Sequence, residues 1–409
     1  MFFAKAASLV ISFLATAYIA RNLGPKNYGE LSYAISFVSL FSVFTLAGID
    51  QILYRDIIKY PEKKNVYMGS AFMIRAVGGI AAILLCMVTA FLLTGQNLSL
   101  YLIFLISIGY FFQAFQIINY EFLAKVQSKF PSLASTLIVL ILNILKIIVI
   151  AMNQGVLYLA LIYALESVLY MLFYLYIYKA KMGERILNWK FDPELARRMF
   201  LDSIPMIFST AFVLVYARID QVIIRHMMDV SAVGLYDAAV RLSESWYLVP
   251  GLLVASLFPA IVNAKTTSEE QYERRLGKLG LLLVTLAIIV AAVTTVLAPY
   301  IMGILYGKEF LGGTIILQIY IWAGIWTSIT ILANSYLIAE NHRKVLFVSS
   351  LVSMVSNLAL NFLLIPRFGI AGSAWATFIS YSLGPISMLF FKTTRRQVLR
   401  IIKTIFIFK

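Results

Sequence analysis

Leu279 to Ile301 reads LGLLLVTLAIIVAAVTTVLAPYI, a run of 23 residues without one charged side chain. As a helix rising 1.5 Å per residue it covers about 34 Å, enough to cross a hydrocarbon core of about 30 Å. Three cations, Arg274, Arg275 and Lys278, stop just before it. A helix on a soluble protein would carry a charged face toward water. This one has none, so it is read as a membrane span.

Working outward, segments of the same kind recur along the 409 residues, near 2–20, 31–53, 66–94, 99–122, 131–152, 155–178, 203–224, 232–262, 279–301, 313–338, 345–365 and 370–391. Composition agrees: 61% of residues are hydrophobic and 13% charged, against about 25% charged in a soluble domain. The expectation is an all-α integral membrane protein with about twelve transmembrane helices. Lys5 ahead of an apolar run ending in Ala15-Thr16-Ala17 has the look of a signal peptide. Eleven further spans favour a retained first helix instead. A single cysteine, Cys86, lies mid-span and excludes an internal disulfide or a cysteine metal cluster. No metal or organic cofactor is expected.

The 34 Lys and Arg and the net charge of +15 would suit nucleic acid if they were clustered on a water-facing surface. They are not. With a cytoplasmic N-terminus, 25 of them fall in cytoplasmic connections and tails, while the outer side holds five, Arg21, Lys26, Arg225, Lys308 and Arg367. This asymmetry is the positive-inside rule, and it predicts that both termini are cytoplasmic. The tail from Lys392 onward mixes cations with Val398, Leu399, Ile401, Ile402, Ile405 and Phe406, a pattern for lying on an anionic membrane face or for anchoring topology. Asp192-Pro193-Glu194 is a helix start, with Asp as cap and Pro in the first turn. The expected organisation is an N-terminal six-helix lobe over 1–180, a cytoplasmic linker with a short interfacial helix over 181–202, a C-terminal six-helix lobe over 203–391 and a basic tail over 392–409.

The two halves echo each other. Tyr28-Gly29-Glu30-Leu31-Ser32-Tyr33-Ala34 is answered by Val233-Gly234-Leu235-Tyr236-Asp237-Ala238-Ala239, and Leu123-Ala124-Lys125 by Ile338-Ala339-Glu340; Gly155-Val156 is answered by Gly369-Ile370. Six spans separate each pair, so the copies share one orientation in the membrane. Such parallel repeats form two lobes with a site between them that opens to either side, which is transporter architecture. Pro250 and Pro259 in the eighth span and Gly384-Pro385 in the twelfth are hinges or tolerated kinks.

Four cations fall inside spans: Arg75, Lys146, Arg218 and Arg241. Each costs about 2.5–3.5 kcal/mol at the bilayer centre unless paired or hydrated. Asp237, Arg241 and Glu244 are spaced i, i+4 and i+7, so one helix face could carry all three as a ladder. Asp220 sits two residues from Arg218 and points elsewhere. Arg75 and Lys146 have no acid within a turn on their own segments, and Glu166 is within reach of one of them. Glu166 shares a face with Tyr163, Ser167 and Tyr170, a stripe better suited to water than to lipid. A second stripe, Ser349, Ser353, Ser356, Asn357 and Asn361, is either hydrogen-bonding glue between helices or part of a sugar-facing wall. Cations lining a cavity imply an anionic ligand.

Over its whole length the chain resembles the bacterial lipid-linked oligosaccharide flippases of the O-antigen and polysaccharide type, within the superfamily of multidrug, oligosaccharidyl-lipid and polysaccharide exporters. The carriers are Ala20-Arg21-Asn22-Leu23-Gly24-Pro25 with Tyr28-Gly29, Gly48-Ile49-Asp50 with Arg55-Asp56, Arg218-Ile219-Asp220, Gly234-Leu235-Tyr236 with Arg241, and Ile365-Pro366 with Gly369-Ile370 and Ala374. The resemblance implies a multi-pass protein of the bacterial inner membrane, two six-helix lobes of the drug-exporter type, a cationic cavity and alternating access. The implied cargo is an undecaprenyl-diphosphate-linked glycan, with other polysaccharide assembly proteins as partners. The chain begins late for that family, with a short first helix.

On this reading Arg75, Lys146, Arg218 and Arg241 would hold the diphosphate, with Tyr163, Tyr170 and Asn357 as polar lining. Asp220, Asp237, Glu244 and Glu166 would be charge partners or couplers to Na⁺ or H⁺. Membrane potential is a second energy source, since outward movement of a dianion gains about 4–5 kcal/mol per 100 mV. The rivals are another exporter of the same architecture, for a drug or small ion, and a membrane-embedded glycan-processing enzyme. An enzyme would want a sizeable outer loop or an intramembrane base. The two histidines, His226 and His342, instead fall in connections on opposite faces, and no phosphate-binding G-x-x-x-x-G-K-[ST] occurs.

Overall fold

Lipid offers no partner to a peptide N–H or C=O, so a chain this apolar must satisfy its backbone within each segment, and the helix does so. The computed structural model describes residues 2–46, 48–94, 97–264, 268–340, 342–392 and 394–395, and it is helical accordingly, with no strand among the described residues. The basic segment 396–409, expected to lie on the membrane face, falls outside them.

The chain divides into two units, 1–214 and 215–409. The first holds α1 (Phe2–Leu40), α2 (Val43–Leu46), α3 (Ile49–Lys59), α4 (Lys64–Thr94), α5 (Leu98–Ser107), α6 (Gly109–Gln113), α7 (Ile118–Ala124), α8 (Lys129–Ala151), α9 (Val156–Met182) and the start of α10 (Pro193–Met227). The second holds the rest of α10, then α11 (Val230–Trp246), α12 (Leu248–Ala264), α13 (Glu269–Leu305), α14 (Thr314–Tyr320), α15 (Ala323–Ala339), α16 (Arg343–Phe368) and α17 (Ile370–Ser387).

Eight of the described helical segments are long and apolar enough to cross a bilayer, or ten when two bent pairs are each counted as one span. The difference from twelve has two local causes. First, the leading pair of spans forms one helical trace broken at Gly24, whose φ of 71° and ψ of 168° leave the helix. Only glycine adopts that conformation without strain, and the following Pro25 brings no N–H that needs a partner. Second, Ile370–Ser387 is rich in small and hydroxyl residues, because its buried face packs against α16. The Asp192 start is present, its Oδ1 accepting from the N–H groups of Glu194 at 2.9 Å and Leu195 at 3.1 Å. The helix it opens is not short: α10 continues to Met227, with a break after Phe208. Pro205 lies inside it without ending it.

The faces are inverted relative to a soluble protein. On α4, Val77, Ile80, Leu84, Val88 and Leu92 form a stripe of exposed apolar side chains, while Met68, Ala71, Arg75, Ala82, Cys86 and Ala90 are buried. On α13 the exposed stripe is Ile289, Val293, Val296, Tyr300 and Ile304. Large apolar groups outside and small or polar groups inside is the arrangement lipid selects, since association within a bilayer depends on close packing and interhelical hydrogen bonds. Gly78 shows the packing: a Cβ there would collide with the carbonyl oxygen of Phe44, so α4 and α2 meet backbone to backbone.

Within the first unit the connections sort by side as alternating spans require. Those around Asn22–Asn27, Leu98 and 153–155 line one cavity of about 440 Å³. At the other end of α4, Lys64, Lys125 and Glu184 gather around the buried Glu121.

Candidate functional site

Both units carry buried polar side chains that lipid would not tolerate unpaired. In the first, Lys146 on α8 is 8% exposed, and its Nζ lies 3.9 Å from the ring centroid of Tyr163 on α9. That cation–π contact compensates part of the lost hydration. One turn further along α9, Glu166 interacts with Lys146 through its charge, yet no carboxylate lies within 4.0 Å of the ammonium among the described residues. Asn143, one turn before Lys146 on the same face, donates to Ser12 Oγ at 2.9 Å. Tyr170 stands beside Glu166 and stacks on Tyr174 at 6.2 Å. Helices α1, α8 and α9 thus contribute one polar stripe.

Arg75 is different. It is 1% exposed, and its Nε donates to the Thr45 carbonyl and its Nη1 to Asp50 Oδ1, both at 3.0 Å. Its acid comes from α3, a neighbouring segment turned into place by the left-handed Gly48 (φ 60°). In this conformation the guanidinium is committed within the protein.

In the second unit the anticipated ladder is divided. Arg241 Nε pairs with Asp237 Oδ2 at 2.6 Å, and Gln221 Nε2 donates to the other oxygen at 2.8 Å. Glu244 pairs instead with Arg218 on α10, loosely at 3.4 Å, and about a third of the Arg218 side chain stays open. Asp220 faces away from both cations. It accepts from Tyr236 OH at 2.6 Å, Thr377 Oγ1 at 2.7 Å and Asn361 Nδ2 at 2.8 Å. Asn361 also meets Asn357 Oδ1 at 3.2 Å and accepts from Ser373 Oγ at 2.7 Å, while Asn357 Nδ2 reaches Ser380 Oγ at 3.4 Å. The stripe on α16 therefore serves as glue to α17 and α10.

Each embedded cation has a carboxylate near it: Asp50 for Arg75, Glu166 for Lys146, Glu244 for Arg218 and Asp237 for Arg241. Pairing answers the cost of burial. An incoming anion is best received where a cation is least committed, which singles out Lys146 and then Arg218. Beside Arg218 and Glu244 stand aromatic side chains, Tyr216 against Tyr381 and Tyr381 against Tyr320, and Trp246 Nε1 is buried with no partner among the described residues. Among the described residues no group of three or more His, Cys, Asp or Glu converges as a metal site.

Several participants were not singled out from sequence. Asp50 was quoted only as part of a resemblance. Glu121 looked like the end of a span, yet it is 1% exposed and binds Lys64 and Lys125 at 3.0 Å and the Tyr178 hydroxyl at 2.8 Å. Tyr236 could have been suspected, since it lies sixteen residues from Asp220 on the next helix. Glu184 joins the Lys64 group at 2.7 Å, and the ammonium that donates to it holds its carboxyl below the ordinary 4.5.

The model of polysaccharide biosynthesis proteins matches residues 2–265, and that of the lipid II flippase MurJ matches 176–409. Two Haloferax volcanii proteins align over part of the chain. The probable low-salt glycan biosynthesis flippase Agl15 is 28% identical over 172 residues, and the probable flippase AglR 27% identical over 174. Each alignment takes in 42% of this chain, and the chain spans only 36% and 37% of the length of those relatives. The capsular polysaccharide biosynthesis protein CapF of Staphylococcus aureus is 23% identical over 398 residues, 96% of this chain and 97% of that protein. Among solved structures, lipid II flippase MurJ in an inward closed conformation superposes with a TM-score of 0.74 at 18% identity, covering 99% of this chain and 90% of that one. An inward-facing multidrug transporter of the MATE family also gives 0.74, at 12% identity, covering 97% and 96%. The fold is that of these transporters, the twelve-helix, two-lobe fold.

Proposed function

The chain belongs to the family of polysaccharide biosynthesis proteins, and we propose that it flips an undecaprenyl-diphosphate-linked oligosaccharide from the cytoplasmic to the outer leaflet of the inner membrane, in the assembly of a surface polysaccharide such as O-antigen. The step is a movement by alternating access, with no bond made or broken, and both termini are cytoplasmic. Other proteins of polysaccharide assembly supply the lipid-linked glycan and consume it. The similarity to proteins named as flippases and as polysaccharide biosynthesis proteins supports this reading.

One observation carries it: Lys146 is a buried ammonium held against a tyrosine face with no carboxylate within 4.0 Å among the described residues, in a stripe of Asn143, Tyr163, Glu166 and Tyr170. A diphosphate offers that ammonium the partner the protein withholds. The prenyl chain stays in lipid.

The driving force is the membrane potential, a coupling ion, or both. Asp220, a buried carboxylate that accepts from Tyr236 OH, Thr377 Oγ1 and Asn361 Nδ2 and pairs with no arginine among the described residues, is the carboxylate proposed to take up a coupling proton or Na⁺. Asp237 and Glu244 are bound to arginines and less suited. In a strain lacking the gene, lipid-linked glycan should accumulate on the cytoplasmic leaflet. The wild-type gene should restore export and Lys146→Met should not. Normal surface polysaccharide in the deletion strain, or full restoration by Lys146→Met, overturns the assignment.

A further inference from the structure

The cavity formed by the connections of the first unit is chemically unlike the charged stripe. Its volume of about 440 Å³ falls in the range of small-molecule pockets, about 300–1,000 Å³. It lies beyond the Thr94 end of α4, the side with few basic residues, which the charge asymmetry assigns to the exterior. Among the described residues no charged side chain lines it; four carboxamides do, those of Asn22, Asn27, Asn153 and Gln154, over an apolar floor that includes Leu98 and Leu157.

The carboxamides are set in place by the local fold. Asn22 and Asn27 each commit one N–H to a carbonyl a turn back, Tyr18 O at 2.7 Å and Leu23 O at 3.2 Å. That fixes their planes and leaves each with an acceptor oxygen and a second N–H. Asn153 holds a left-handed backbone (φ 53°) just past the end of α8, a conformation asparagine tolerates better than most residues. The side chains of Asn153 and Gln154 have no hydrogen bond among the described residues.

A carboxamide presents a donor and an acceptor in one plane, which matches two adjacent hydroxyls of a sugar ring, and the leucines match its C–H face. A phosphate would want a cation, which the lining lacks. An acyl chain would leave four polar groups unsatisfied. The internal repeat sharpens the point, because Gly155 corresponds to Gly369, which follows Arg367-Phe368 and no amide. The feature belongs to one unit.

We propose that this cavity is a subsite for a neutral sugar residue of the translocated glycan, engaged on the outer face. The proposal rests on the flippase reading for the source of the sugar. With the full chain in lipid nanodiscs, saturation-transfer NMR with free glucose, galactose and N-acetylglucosamine should show transfer to at least one of them. Asn22→Leu/Gln154→Leu, and separately the isosteric Gln154→Glu, should raise its Kd about tenfold, close to 1.4 kcal/mol. Unchanged melting curves would show the variants to be folded. No transfer to any of the three sugars, or equal affinity in wild type and both variants, overturns the subsite. Flipping of a prenyl-diphosphate glycan by the same preparations separates the two claims. Flipping without amide-dependent sugar binding removes the subsite and leaves the flippase; amide-dependent binding without flipping does the reverse.

Discussion

Replacing Asp220 with Ala removes the buried acceptor shared by three donors, the Tyr236 hydroxyl, the Thr377 hydroxyl and the Asn361 amide, at 2.6, 2.7 and 2.8 Å from the carboxylate. Hydrogen bonds to charged groups contribute about 1.5–3 kcal/mol each, a gross loss of about 5–9 kcal/mol. Interhelical bonds in membranes average nearer 0.6 kcal/mol, because the unfolded segments find other partners, which sets a floor of about 2 kcal/mol. The expected destabilisation is therefore about 2–5 kcal/mol, the upper end matching the breaking of a buried charged pair. Asp220→Asn should cost about half as much: its oxygen still accepts from Tyr236 and Thr377, while its NH₂ is turned against that of Asn361. Asn361 has no easy flip, since its own oxygen is held by Ser373 at 2.7 Å. Detergent-induced unfolding in mixed micelles, followed by tryptophan fluorescence, measures both. A loss below about 0.5 kcal/mol for Asp220→Ala, the size of an ordinary surface substitution, refutes the reasoning.

Lys146→Met keeps the aliphatic stem over Tyr163 and removes the charge, so export should fail at a stability equal to or above wild type, whereas Arg75→Ala should lower stability by about 3–5 kcal/mol by breaking the buried ion pair with Asp50 and the bond to the Thr45 carbonyl. Parallel export and unfolding measurements distinguish the two. Glu121→Ala removes the shared acceptor of Lys64, Lys125 and Tyr178, and unfolding in micelles should show a loss of about 3–5 kcal/mol. Acid should act through Glu184. Its folded carboxyl is held below 4.5, so the stability it contributes is full above that value and is lost as pH falls through the lowered one; melting temperature should decline below about pH 4.5, and Glu184→Gln should flatten that limb.

Helix type and approximate position were legible because lipid sets one strict length and forbids charge, as Leu279–Ile301 shows. Breaks were less so: Gly24-Pro25 was visible as a motif, but the left-handed turn at Gly48 that carries Asp50 toward Arg75 depends on packing against α10. Embedded charges stood out individually, since each violates the composition of its span. Their pairing did not, because partners such as Asp50 with Arg75 or Arg218 with Glu244 lie on different helices, and helical spacing reports neighbours on one helix only. The spacing of Asp237, Arg241 and Glu244 placed three charges on one face and half of the ladder formed; Arg218 claimed the other half. The carboxamides of the cavity escaped notice for a related reason: three separate connections contribute to it, and none of them is distinctive alone.

The central claim is movement of a lipid diphosphate bearing sugar. It is tested most directly by reconstituting the purified chain into liposomes that contain a fluorescent prenyl-diphosphate oligosaccharide, imposing an inside-negative potential, and following access of the glycan to an external lectin. The account predicts protein-dependent exposure that accelerates with the potential and is lost in Lys146→Met. Exposure at the rate of protein-free liposomes, or an equal rate for Lys146→Met, would contradict it.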